Sequence, residues 1–281
     1  MADSKQALTG RQGGGQAEVY EAYFVPAMFA RWAGALIELA GLREGDRVLD
    51  IACGTGIVAR TAAPRVGQAG SVVGVDMNEA MLAVATEAVV PRGAAIQWLQ
   101  GDALALPITS GSADVTLCQH ALTFFPDRGA AVREMHRVLA PGGRALTMVL
   151  QRLDLHPVFE ALMESVARHL DVPLPGVAIP FALPDAGALG SLHTEAGFAE
   201  VEVRPISATM RFPGPETFVP MAVMSSAAAV PAFAELDDPH KAALMGAIAR
   251  DCAAVVAAHA VDGEVVFDMH AHVAIARLSG N

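Results

Sequence analysis

A chain of 281 residues is long for one average domain and short for two, so one α/β domain with insertions fits best. Its 30 acidic residues outweigh 19 basic ones, giving a net charge of −11, and no Lys/Arg run appears, which argues against sequence-independent nucleic-acid binding. Hydrophobic residues reach 53% but the N-terminus has no apolar signal core, and the uncharged run Thr217 to Ala234 is broken by Pro220 and Pro231, so no membrane span is expected.

Residues 1–17 are polar and rich in Gly and Gln, and read as a mobile arm. From Ala17 to Ala40 the pattern is helical, with Phe24, Met28, Trp32, Ala35 and Leu39 on one face, and Pro26 is expected to split it in two. Gly41 stops the helix.

Arg47 to Ile51 reads as a buried strand that runs into the glycine turn Cys53-Gly54-Thr55-Gly56. Gly54 and Gly56 let the backbone take positive φ and approach a ligand. The run Ile57 to Ala63 then opens a helix whose free N–H groups form an anion site. Asp76, at the end of a second strand Ser71–Asp76, lies where an acid suits ribose hydroxyls. Asp50 separates two cofactors: it would repel a dinucleotide's pyrophosphate, but would attract the ammonium of S-adenosylmethionine, whose carboxylate the helix end accepts.

The run Val48-Leu49-Asp50-Ile51-Ala52-Cys53-Gly54-Thr55-Gly56 resembles the first motif of class I S-adenosylmethionine-dependent methyltransferases, and is most similar to the ubiquinone/menaquinone-biosynthesis type. Ala52 departs from it, since that family more often has glycine there; a methyl group is tolerable if φ is negative. By the same resemblance, Met77 packs on the adenine ring. Asp102 accepts from the adenine amino group after a third strand, Ile96–Gln100, and the N–H of Ala103 donates to the ring. Tyr20 and Phe24 belong to a segment that closes over the methionine end.

A fourth strand, Asp114–Cys118, leads into Gln119 and His120 at the carboxyl edge of the sheet, where open α/β folds bind ligands. Both residues face the sulfonium region or the methyl acceptor. A helix from Gly129 to Leu139 ends at Ala140-Pro141-Gly142-Gly143, read as a turn, before strand five, Arg144–Leu150. The resemblance covers about residues 46–150. The α–β alternation gives a doubly wound, mostly parallel sheet, and with the resemblance it implies seven strands with an antiparallel last strand.

Beyond it, helices are expected at Pro157–Leu170 and Asp185–Gly197, strand six at Val201–Phe212 and strand seven at Phe267–Leu278. Segments 151–184 and 213–262 read as cap insertions on one domain spanning 18–281. Their apolar residues Val177, Ile179, Phe181, Phe218, Met221 and Met224 fit either a partly apolar substrate or ordinary packing. Cys53, Cys118 and Cys252 fit no zinc spacing and suggest a reducing cytoplasm, and Cys53 and Cys118, in expected buried strands, read as small core residues. His270 and His272 share a strand face without a third ligand, so no metal is expected. Arg-over-Lys usage suggests a bacterial source, and oligomeric state, homo-oligomer included, is left open.

Methyl transfer from a sulfonium is an in-line displacement that needs alignment and water exclusion more than acid catalysis. A general base helps only an acidic acceptor, and His120, with a pKa near neutrality, is the candidate base or orienting group. Two rivals remain: an NAD(P)-dependent oxidoreductase, opposed by Asp50, by Ala59 in place of a third glycine and by Asp102, and a non-catalytic S-adenosylmethionine-binding auxiliary protein.

Overall fold

The computed structural model describes residues 15–226 and 230–280. Residues 1–14 of the expected arm lie outside them. The arm is shorter than expected at its inner end, because helix begins at Gln16 and Ala17 is buried.

The first helical stretch, α1, runs through Gln16–Val19, Tyr20–Phe29 and Ala30–Ala40. Pro26 does not divide it. The middle part is π-helical, and the Ala30 N–H reaches back five residues to the Val25 carbonyl. A wider turn accommodates a residue that lacks an N–H and whose ring crowds the carbonyl four positions back. The buried face of the last part is Trp32, Ala33, Leu36, Ile37 and Ala40, one step round from the expected Ala35 and Leu39.

The elements that follow are β1 (Arg47–Ile51), α2 (Ile57–Val66), β2 (Ser71–Asp76), α3 (Glu79–Glu87), β3 (Ile96–Gln100), β4 (Ala113–Gln119), α4 (Arg128–Val138) and β5 (Leu139–Leu150). Then come α5 (Pro157–Leu170), α6 (Ala186–Glu195), β6 (Glu200–Pro213), α7 (Pro215–Ser226), α8 (Asp238–Ala258), β7 (Ala260–Val261) and β8 (Glu264–Arg277). The sheet order is β3-β2-β1-β4-β5-β8-β6, with the two-residue β7 added on β8. The seven expected strands are therefore present, together with one short extra pairing. β1 to β5 are parallel, and β8 is antiparallel to both of its long neighbours. The last strand lies inside the sheet, and β6 forms the edge.

Strand order reverses between β1 and β4, which opens a crevice at their carboxyl ends. One face of the sheet is covered by α1 and α2, where Trp32, Ala33 and Leu36 share a core with Ala59, Ala62 and Ala63. Small side chains let these helices sit close. The other face is covered by α4 and α6, through Val132, Met135 and Leu189. The expected turn at Ala140–Gly143 is absorbed into β5 as an irregularity: pairing with β4 shifts register between Ala113 and Val115, and Gly142 has φ 75°.

β6 and β8 pair from Glu200–Arg277 to Pro213–Glu264, whereas β5 pairs with β8 only over Arg144–Leu150. The β6–β8 ribbon thus continues past the carboxyl end of β5. On it packs an aromatic cluster of Phe159, Phe212, Phe218 and Phe267, with Phe212 and Phe267 stacked at 5.7 Å. Helices α5 and α8 are joined there by Asp251, which accepts hydrogen bonds from Ser165 at 2.7 Å, Arg168 at 2.7 Å and His169 at 2.9 Å. Val177, Phe181 and Phe218 are buried core residues, so their apolarity is accounted for by packing, while Met224 is exposed.

Candidate functional site

Three residues of the β1–α2 turn are left-handed: Ala52 at φ 53°, Gly54 at φ 55° and Gly56 at φ 85°. Ala52 therefore lacks the negative φ under which its methyl group costs nothing. A left-handed L-residue is strained by about 1–2 kcal/mol. We expect Ala52→Gly to stabilise the protein by about 0.5–1 kcal/mol, once the freer unfolded chain of glycine is subtracted. Thermal unfolding checks this, and a lower Tm would mean that the methyl group packs usefully.

Two carboxylates hold this turn. Asp76 accepts the Gly54 N–H at 2.8 Å through one oxygen and the Asn78 N–H at 2.9 Å through the other. Asp50 is buried, and accepts the Ala59 N–H in the first turn of α2 at 3.0 Å. Burial pushes its pKa up to about 8; the negative charge of Asp76 adds to this, while the Ala59 N–H and Arg60 oppose it. The Thr55 hydroxyl is buried without a partner.

α1 lies across the turn. The Tyr20 ring comes within 4.0 Å of the position a Gly54 side chain would start from, and it stacks on Phe29 at 4.9 Å. Phe24 instead packs inward on Tyr23 and Phe212. A half-buried ion pair joins the helices: Arg60, on α2, meets Glu21 on α1 at 2.7 Å. The sequence carried no signal for this pair, because nothing local links positions 21 and 60.

Trp98 on β3 was also missed. Its indole fills the space beside the turn, so a Cβ on Gly56 would stand 2.2 Å from it and a Cβ on Gly74 2.4 Å. Gly74 in mid-strand was the available signal, since such a glycine often marks a close approach.

The remaining candidates divide into two groups. Met77, Asp102 and Ala103 follow the ends of β2 and β3. Met77 is 74% exposed, and Ala103 is buried. Asp102 is exposed, with one carboxylate oxygen accepting the Leu104 N–H at 2.9 Å.

Gln119 and His120 lie beside α1. The Gln119 amide donates to the Phe29 carbonyl at 3.3 Å, and its own oxygen is buried without a partner. His120 has φ 55°, and its ring lies 5.5 Å from Trp32 and 6.3 Å from Phe29. Neither ring nitrogen of His120 has a partner, nor does Trp32 Nε1, and all three are buried. The near-neutral pKa expected for His120 is corrected here. Burial, with His156 nearby, holds it down at about 3, so the ring is neutral at physiological pH.

A family model described as "Methyltransferase domain" matches residues 49–147, from β1 to β5. That stretch of the chain is therefore similar to a methyltransferase domain. Over 123 residues the chain is 42% identical to the ubiquinone/menaquinone biosynthesis C-methyltransferase UbiE of Pseudomonas putida, covering 43% of this chain and 48% of that protein. The chain thus spans about half the length of the curated relatives it matches. The likeness in fold extends further. The YcgJ protein of Bacillus subtilis superposes with a TM-score of 0.55 at 21% identity, covering 89% of this chain and 99% of that one. The [4+2]-cyclase SpnF superposes at 0.54 and 21% identity, covering 90% and 82%. That a cyclase shares this architecture shows that the fold alone does not name a reaction.

Proposed function

We propose that this protein transfers the methyl group of S-adenosylmethionine to a small, partly apolar acceptor. The observation that carries the reading is the pair of acids on the left-handed turn, Asp76 against the Gly54 N–H and buried Asp50 against the start of α2. When bound, S-adenosylmethionine supplies an electrophilic methyl group on a sulfonium.

Asp76 would hold the ribose hydroxyls. Asp50 would face the ammonium, and the unpaired Thr55 hydroxyl and the turn at Gly54 and Gly56 would receive the carboxylate end. Met77, Asp102 and the Ala103 N–H would receive the adenine. Tyr20 and the rest of α1 exclude water over the turn, and Gln119 and His120 orient the acceptor from the end of β4. A neutral His120 is a hydrogen-bonding group, not a strong base, which favours its orienting role. A dinucleotide fits poorly, because buried Asp50 already takes the Ala59 N–H at the start of α2, where a pyrophosphate would bind. Three free, buried cysteines support a reducing compartment, the cytoplasm.

Two measurements test this. Incubation with S-adenosylmethionine and a panel of small acceptors should yield S-adenosylhomocysteine, and no turnover with any of them would leave only a binding protein. Cofactor binding should also release a proton near pH 7. Asp50 has a pKa of about 8 and is largely protonated there, and an ammonium placed against it favours the carboxylate. Calorimetry with S-adenosylhomocysteine in buffers of different ionisation enthalpy should show close to one proton released. Zero release would remove Asp50 from the ammonium site.

A further inference from the structure

We infer that Trp32 and His120 form a hydroxyl-binding subsite for the methyl acceptor, in which one hydroxyl oxygen accepts the Trp32 Nε1–H and donates its own proton to a ring nitrogen of His120. This rests on the methyltransferase reading for the identity of the occupant. The subsite itself stands on unmatched hydrogen-bonding groups.

Trp32 is fully buried, yet its indole N–H has no partner. Buried N–H groups in folded proteins are nearly always paired. The His120 ring touches it, edge to face at an interplanar angle of 72°, and carries two more unmatched nitrogens. The ring is held in place. The His120 backbone N–H donates to the Met148 carbonyl at 2.8 Å, its φ is in the left-handed region, and Gln119 ties the same segment to Phe29. Unpaired polar groups at a strained residue beside a catalytic crevice point to a ligand.

The inventory identifies the ligand's chemistry. Indole only donates, and a neutral imidazole presents one donor and one acceptor. An alkylammonium has no lone pair to offer Trp32. A carbonyl or ether serves only the tautomer that turns its N–H toward it, and has no proton for the His120 lone pair. A hydroxyl offers both from one atom. The surrounding rings, Phe29 and Tyr20 with it, suit an aromatic or otherwise apolar skeleton bearing that hydroxyl. Phenols are the simplest members of this class.

Fluorescence reads the subsite directly, because Trp32 and Trp98 are the only tryptophans. In a Trp98→Phe protein saturated with S-adenosylhomocysteine, Trp32 emission would be titrated with phenol and with toluene, which has the same shape without the hydroxyl. Phenol should bind saturably and about tenfold more tightly than toluene. Adding His120→Phe, which keeps a ring, should bring the two ligands within about twofold of each other. Affinity for S-adenosylhomocysteine should stay unchanged. Equal binding of phenol and toluene, no saturable phenol binding, or a preference that survives His120→Phe would each overturn the subsite. Should S-adenosylhomocysteine not bind the unmodified protein, the cofactor reading fails, and the same comparison without it still decides the subsite.

Discussion

Asp76→Ala should weaken binding of S-adenosylhomocysteine by about 10- to 150-fold. A hydrogen bond to a charged group contributes about 1.5–3 kcal/mol, and the cofactor's ribose would lose its charged partner. The same carboxylate accepts the Gly54 and Asn78 N–H groups, so alanine also frees the turn itself. Asp76→Asn separates these two contributions. It keeps an oxygen for Gly54 while removing the charge, and should fall between the native protein and the alanine variant. Calorimetric titration measures all three. Unchanged affinity in Asp76→Ala would sink the ribose assignment, whatever happened to stability.

Gly56→Ala should be the most destabilising single substitution in the turn. A side chain at φ 85° costs about 1–2 kcal/mol. Its Cβ would also stand 2.2 Å from the Trp98 indole, and overpacking of this kind costs about 1–3 kcal/mol more. A combined loss of about 2–5 kcal/mol lowers Tm by roughly 5–15 °C in a protein of this size. Trp98 provides the internal check. Trp98→Leu in the same chain should recover the overpacking share and leave the backbone share, so the two substitutions should be clearly non-additive. Simple additivity in thermal unfolding would mean that Trp98 is not what fills the space beside Gly56.

Local pattern determined much of this protein. Val48, Leu49 and Ile51 read as a buried strand and are one, because a strand covered on both faces needs a continuous apolar run. Gly54 and Gly56 read as left-handed and are, since few other residues tolerate that conformation. The α5 boundaries, Pro157 and Leu170, match the expected ones, where a proline opens the helix. That Asp50 and Asp76 lie at the glycine turn and the start of α2 was legible because one βαβ unit fixes their places.

Tertiary structure decided the rest. Pro26 does not end the helix, because the α1 backbone widens to a π-helix around it. Ala52 is left-handed, because the strand-to-helix turn imposes its geometry on whatever residue stands there. The pKa values near 8 for Asp50 and near 3 for His120 come mainly from burial, which no sequence window contains. Trp98 over Gly56, Glu21 against Arg60, and Trp32 beside His120 are pairs drawn from separate elements. Sequence periodicity shows which face of an element is apolar, but which residue of another element meets it is settled only when the sheet order brings β1, β4 and α1 around one crevice.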